Sequence, residues 1–171
     1  SAGDLIANPY EIFERPFGRL ISGNARLVRL WTGAAWAEGP VYFRDGDFLL
    51  FSDIPNNRML SWHPGRGMQI WRDKVDFTNG HVREQGGDLL HCSHGQRAIV
   101  RTRLDAQGQP QSDEVVVNSY QGRRLNSPND VVVKRDGSIW FTDPPYGILS
   151  DREGHQAPSE LGDNYVFRFC P

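Results

Sequence analysis

Asn129-Asp130-Val131-Val132-Val133-Lys134-Arg135-Asp136-Gly137-Ser138-Ile139-Trp140-Phe141-Thr142-Asp143 reads as a strand, a tight turn and a second strand. β-branched and aromatic residues favour extended backbone, and an Asp-Gly pair between two apolar runs is a strong hairpin signal because such turns need positive φ. The same template recurs twice upstream. Glu38-Gly39-Pro40-Val41-Tyr42-Phe43 leads through Asp45-Gly46-Asp47 to Phe48-Leu49-Leu50-Phe51-Ser52-Asp53, and a third run follows at Arg58 to Trp62. Asn79-Gly80-His81-Val82 turns at Gly86-Gly87-Asp88 into Leu89-Leu90-His91-Cys92-Ser93-His94, then Ala98 to Arg101. The downstream copy closes at Tyr165 to Arg168.

The template starts lie 41 and 50 residues apart, which is a propeller-like period, and Met68–Trp71 and Glu114–Val117 supply a fourth strand where one is needed. The expected fold is all-β, a β-propeller of four-stranded antiparallel blades, with this chain covering roughly the first three. Three unrelated hairpins in a sandwich are the competing arrangement. Against it, polar residues recur at two template positions: Glu38, Asn79 and Asn129 at the start, and Asp53, His94 and Asp143 at offsets of 15, 15 and 14 residues. We divide the chain into an N-terminal arm, 1–26, and a partial propeller, 27–171. Leu27 to Trp31 can form a lead-in strand, and Tyr10 to Leu20 a short helix or an extended arm. Three templates cannot close a ring, so the chain is expected to be a fragment of a longer protein or to be completed by another polypeptide that supplies the missing part of the propeller.

Composition narrows the function. With 19 Lys plus Arg against 21 Asp plus Glu and no block of like charge, neither nucleic acid nor a membrane is an expected partner, and a small molecule is. No apolar run approaches a membrane span, and Ser1 to Tyr10 lacks a signal pattern. The compartment stays open: cytoplasmic, or periplasmic if a signal has been removed. Cys92 and Cys170 are expected to be two buried thiols. His63, His81, His91 and His155 lack common ligand spacing and are read as surface or packing residues. There is no phosphate loop, paired-histidine zinc helix or serine elbow.

First strands of propeller blades line the central channel, so Glu38, Asn79 and Asn129 are expected to converge near its axis. A carboxylate and two amides form the oxygen set that hard cations such as calcium prefer, although Asn79 could equally open a turn. Asp53, His94 and Asp143 are expected to hold neighbouring loops. The alternative for these three is substrate contact or proton transfer at the mouth, for which His94 has the only suitable ordinary pKa.

Trp36-Ala37-Glu38-Gly39-Pro40-Val41-Tyr42, Leu50-Phe51-Ser52-Asp53-Ile54-Pro55-Asn56-Asn57-Arg58 and Asn126-Ser127-Pro128-Asn129-Asp130-Val131-Val132, with Asp136 to Gly147 after it, resemble the SMP-30/gluconolactonase/LRE family over about Leu27 to Phe169. That resemblance implies a six-bladed propeller of which this is the N-terminal half. It also implies hydrolysis of a sugar lactone with one divalent metal, calcium first, zinc or magnesium otherwise. It makes Glu38 a metal ligand, Asn129 a ligand of the metal or of the substrate beside it, and Asn79 a substrate-side channel residue; His94, Asp143 and Tyr146 are further candidates for substrate contact. The remaining ligands belong to later blades, as does the best base for water, for which Asp130 is a local substitute. Ser127 stands where some relatives carry a substrate-orienting arginine. A metal-dependent phosphotriesterase or arylesterase on the same scaffold, and a non-catalytic fragment, are the alternatives.

Overall fold

The computed structural model describes residues 3–6 and 9–171; residues 1–2 and 7–8 of the expected arm lie outside the described residues. Two compact units divide the chain, Ser1–Gly33 and Ala34–Pro171. The first holds β1 (Leu5–Ile6), the four-residue α1 (Arg15–Gly18) and β2 (Leu27–Val28), with β1 and β2 antiparallel. The lead-in strand therefore pairs inside the first unit, and the division falls after Gly33.

The second unit is built of blades. Blade 1 contains β3 (Ala37–Phe43), β4 (Phe48–Asp53), β5 (Arg58–His63) and β6 (Gly67–Asp73), in that spatial order. Blade 2 repeats the meander with β7 (Thr78–Arg83), β8 (Leu89–Ser93), β9 (Ala98–Leu104) and β10 (Pro110–Val117). A small ribbon, β11 (Ser119–Tyr120) and β12 (Arg123–Arg124), precedes blade 3, which has three strands: β13 (Val131–Val133), β14 (Ile139–Asp143) and β15 (Tyr165–Phe169). The four-residue α2 (Tyr146–Leu149) follows β14. No helix among the described residues is long and apolar enough to cross a membrane.

Alternation along each strand sends one set of side chains into an inter-blade layer. Phe43, Phe48, Leu50, Met59 and Trp71 of blade 1 meet Leu89 of blade 2 in one core. Leu90, Cys92 and Ile99 of blade 2 meet Val131, Ile139 and Phe141 of blade 3 in the other. Leu50, Leu90 and Ile139 are fully buried, so truncating any of them to alanine should cost about 2–5 kcal/mol.

Blade 2 also carries a polar seam. Thr102 Oγ1 donates to Asp113 Oδ1 at 2.7 Å, so it accepts from His91 Nε2 at 2.9 Å. Asp113 in turn pairs with Arg72 of blade 1. Burial lowers the pKa of His91 to about 3, with His81 a lesser cause, so its ring stays neutral. A buried polar chain is tolerated when its members find partners, as here. Cys92 is buried and its thiol pKa pushed up by desolvation, whereas Cys170 is exposed, because it follows the last residue of β15 instead of entering a core.

Candidate functional site

The first strands of blades 1 and 2 share an irregularity. Glu38 pairs with Ser52 and Val41 with Leu50, so Gly39 and Pro40 stand against one residue of β4. Thr78 pairs with Ser93 and His81 with His91, so Asn79 and Gly80 likewise stand against one residue of β8. Such bulges bend a strand and re-aim its side chains. Both fall at the template start, where a side chain must turn from the sheet toward the axis.

The bulges also let the strands approach each other. A Cβ on Gly39, whose φ is +60°, would meet the Asn79 carbonyl oxygen, His81 Nδ1 at 2.7 Å and Gly80 Cα at 2.8 Å. A Cβ on Gly80 would meet the Asn129 carbonyl oxygen at 2.6 Å and Asp130 Cα at 2.9 Å. The glycine after each channel residue is thus required by the next blade. Hydrogen bonds stitch the same contacts: Gly80 N–H donates to Asn129 O at 2.9 Å, and Ser52 Oγ to Asn79 O at 2.8 Å.

The result is a recess of about 240 Å³ lined by Glu38, Gly39, Pro40, Asn79, Gly80, His81, Asn129 and Asp130. Glu38, Asn79 and Asn129 are therefore brought together, with Asp130 beside them. Glu38 is exposed and accepts one hydrogen bond, from Trp36 Nε1 at 3.1 Å. The Asn129 backbone is held on both sides, by Thr142 O and Gly80 N, while its side-chain amide has no partner among the described residues. Asp130 Oδ1 accepts from the N–H of Val131 at 2.9 Å. Two carboxylates and no Lys or Arg line the recess, which favours a cation there. The donor set is entirely oxygen: the Glu38 carboxylate and the unpartnered amide of Asn129 fit a hard cation, with coordination positions left to other groups. Among the described residues no group of three His, Cys, Asp or Glu is placed to hold a metal, so an ion in this recess would draw on amide oxygens and on groups beyond these residues.

His81, expected to be a surface or packing residue, completes the recess wall. Its Nδ1 lies 2.6 Å from Gly39 O and its Nε2 3.3 Å from Ser52 Oγ. Burial lowers its pKa to about 4, so its ring stays neutral, a strut whose Nδ1–H donates to Gly39 O. The glycines behind Glu38 and Asn79 were the sequence signal for this wall.

Three other expected substrate-side residues do not line the recess. His94 and Asp143 have no accessible surface to offer a substrate, and both are engaged with loops. Asp143 Oδ2 accepts from Asn126 N–H at 2.8 Å; Asn126 Nδ2 donates to Asp143 O and Asp163 O, and Asn126 Oδ1 accepts from Ser159. Tyr146 sits on α2, 54% exposed. Asp53, the matching residue of blade 1, accepts from the N–H groups of Ala35 and Trp36 and so fixes the approach to Glu38. Ser127, at the position of the arginine found in some relatives, is buried and donates to Pro144 O at 2.6 Å.

Comparison with known proteins agrees with this architecture. Residues 36–168 match the SMP-30/Gluconolactonase/LRE-like region. A gluconolactonase of Zymomonas mobilis subsp. mobilis is 38% identical over 149 residues, covering 80% of this chain and 40% of that protein. Among solved structures, a gluconolactonase from Xanthomonas campestris superposes with a TM-score of 0.86 at 38% identity, over 100% of this chain and 56% of its own. A putative gluconolactonase superposes with a TM-score of 0.75 at 38% identity, over 83% of this chain and 48% of its own. The chain thus spans about half the length of the relatives it matches, and its three blades correspond to that part of their propellers. With the family region reaching from the strand that carries Glu38 to the strand that closes blade 3, this chain belongs to the SMP-30/Gluconolactonase/LRE-like family.

Proposed function

We propose that the recess is part of a metal-assisted site for hydrolysis of a sugar lactone. The observation that carries this reading is the convergence of Glu38, Asn79, Asn129 and Asp130 on one small acidic recess, at bulges that two blades build in the same way. The 38% identity to proteins named gluconolactonase supports the substrate class.

Glu38 and Asn129 would hold a divalent metal, calcium being the best match to a carboxylate and an amide oxygen. When bound, that ion supplies Lewis-acid polarisation of the lactone carbonyl and electrostatic stabilisation of the developing oxyanion. The chain's own groups do the rest. Glu38 contributes the negative charge that makes the recess selective for a cation. The bulged backbones of Gly39 and Gly80 hold the ligand-bearing strands together, with Ser52 and His81 behind them. Asp130, the other carboxylate on the lining, would accept a proton from the attacking water. The ring ester C–O bond breaks, the water oxygen joins the carbonyl carbon, and a proton passes to the departing ring oxygen, giving the open hydroxy acid.

Glu38→Gln in the intact protein tests the proposal, since it keeps shape and removes charge. Bound metal per molecule should fall, and turnover of a gluconolactone should drop at least about a hundredfold. Undiminished turnover by that variant would remove Glu38 from the site.

A further inference from the structure

His94 is fully buried at the end of the second template of blade 2, 15 residues after Asn79. Its Nδ1 stands 2.9 Å from the carbonyl oxygen of Glu153, in the long loop that leaves blade 3. Its Nε2 stands 3.3 Å from the side-chain nitrogen of Asn79. A carbonyl oxygen can only accept, so the His94 proton resides on Nδ1. Burial disfavours the charged ring, so Nε2 is a lone pair that needs a donor. The NH2 of Asn79 supplies it. The amide orientation follows from this chain of donors: nitrogen toward His94, which leaves Oδ1 without a partner among the described residues, on a residue that lines the recess.

The Glu153 carbonyl is itself held firmly. His155, two residues on, pairs with Asp76 at 2.9 Å and sets its ring edge-to-face on Phe77. Ala157 N–H donates to Ile148 O at 3.0 Å, closing the loop at its base. A segment of blade 3 is thus pinned across the end of blade 2 on both sides of the carbonyl that sets the His94 tautomer.

We propose that His94 is a positioning residue that presents Asn79 Oδ1 to the recess as an acceptor for a hydroxyl of a polyhydroxylated lactone. This deepens the lactonase reading and rests on it. With Asn79 held this way, Glu38, Asp130 and Asn79 all offer acceptors to the recess. Such a lining discriminates in favour of ligands rich in hydroxyl donors, because an analogue without them leaves the buried Asn79 acceptor unpaired. An amide free to rotate would offer donor and acceptor alternately, and part of that discrimination would be lost.

The test compares glucono-1,5-lactone with unsubstituted δ-valerolactone on the intact protein and two variants. His94→Leu removes the acceptor that orients Asn79 and should raise KM for the gluconolactone about tenfold, leaving δ-valerolactone unaffected. His94→Gln can still accept from Asn79 through its own amide oxygen, and most of the KM should return. Equal losses on both lactones, or no change on either, overturn the positioning role while leaving the lactonase reading intact. A parent protein that hydrolyses neither lactone overturns both. If His94→Leu does not fold, the Gln variant and the nitrogen NMR shifts of His94 in the parent decide: a proton on Nε2 rather than Nδ1 overturns the inference.

Discussion

At the end of β4, Asp53 receives the backbone N–H groups of Ala35 and Trp36 on one oxygen, and Asn56 Nδ2 and Arg58 Nε on the other. At the end of β14, Asp143 occupies the same place in its blade and also ties down the chain that enters the first strand, through Asn126 N–H. There the likeness stops. Asp143 Oδ1 is buried without a hydrogen-bond partner, and the nearby Arg97, itself buried, directs its Nε to the carbonyls of Leu125 and Asn126. Burial raises the pKa of Asp143 to about 6, against the opposing pull of the Asn126 and Ser127 amides and of Arg97. Burial acts in the same direction on Asp53, yet Asn56, Trp36, Arg58 and Ala35 together hold its pKa below the ordinary value. The cause of the difference is loop length. Residues 54–57 return at once to β5 and deliver Asn56 and Arg58 to the carboxylate; residues 144–164 run away across the molecule and deliver no cation to Asp143. One template position can therefore latch a loop in two ways, as a neutralised anion or as a carboxyl inclined to keep its proton.

Breaking the comparison is most direct at Asp53. Asp53→Ala removes the acceptor shared by two backbone amides, Asn56 and Arg58, and should cost about 3 kcal/mol in chemical denaturation of the intact protein. A loss below about 1 kcal/mol would mean that the network adds nothing beyond surface pairing. The titration of the two carboxylates should next separate them. Asp53, lowered in the folded state, contributes stability above its unfolded pKa near 3.8 and loses it as pH falls through its folded value. Asp143, raised, is the reverse: between about 4 and 6 the folded protein keeps a proton that the unfolded chain has released, so its contribution is full at the acid end and declines as pH rises. Asp143→Asn should therefore gain on the parent between pH about 4 and 7, by roughly 2 kcal/mol at most. A difference that is flat across that window would show the carboxyl to be ordinary.

Much of this architecture could be read from residues alone, and the reasons are specific. Asp-Gly and Gly-Gly turns and alternating apolar runs located nine strands, with Phe48–Asp53 and Arg58–Trp62 agreeing with β4 and β5 almost to the residue. The spacing of Glu38, Asn79 and Asn129 was enough to predict that they share one recess, because a repeat carries equivalent residues to equivalent places. What escaped was whatever depends on contacts between repeats. The position of His94 at a strand end suggests a residue that holds a loop, but not that its ring would be wedged between Asn79 and a loop carbonyl 59 residues away. Asp143 looked interchangeable with Asp53, because nothing near position 143 announces that the following loop withholds its donors. Nothing in the residues around Gly39 and Gly80 announces that the backbone of the next blade is what requires them.

The smallest expected effect refines the same contrast. Arg58 reaches Asp53 Oδ2 with both Nε and Nη2 at 2.9 Å, so geometry as well as charge holds the carboxylate. Arg58→Lys keeps the charge and loses the fork, and Arg58 is partly exposed, so the cost should be about 1 kcal/mol, read as a shift in denaturation midpoint at constant slope. If Lys proves equivalent, Arg58 acts on Asp53 through charge alone, and the directed contacts come from Asn56 and the two backbone amides. If Lys costs as much as Asp53→Ala, the directed hydrogen bonds are what matter, and only a short return loop like residues 54–57 can provide them.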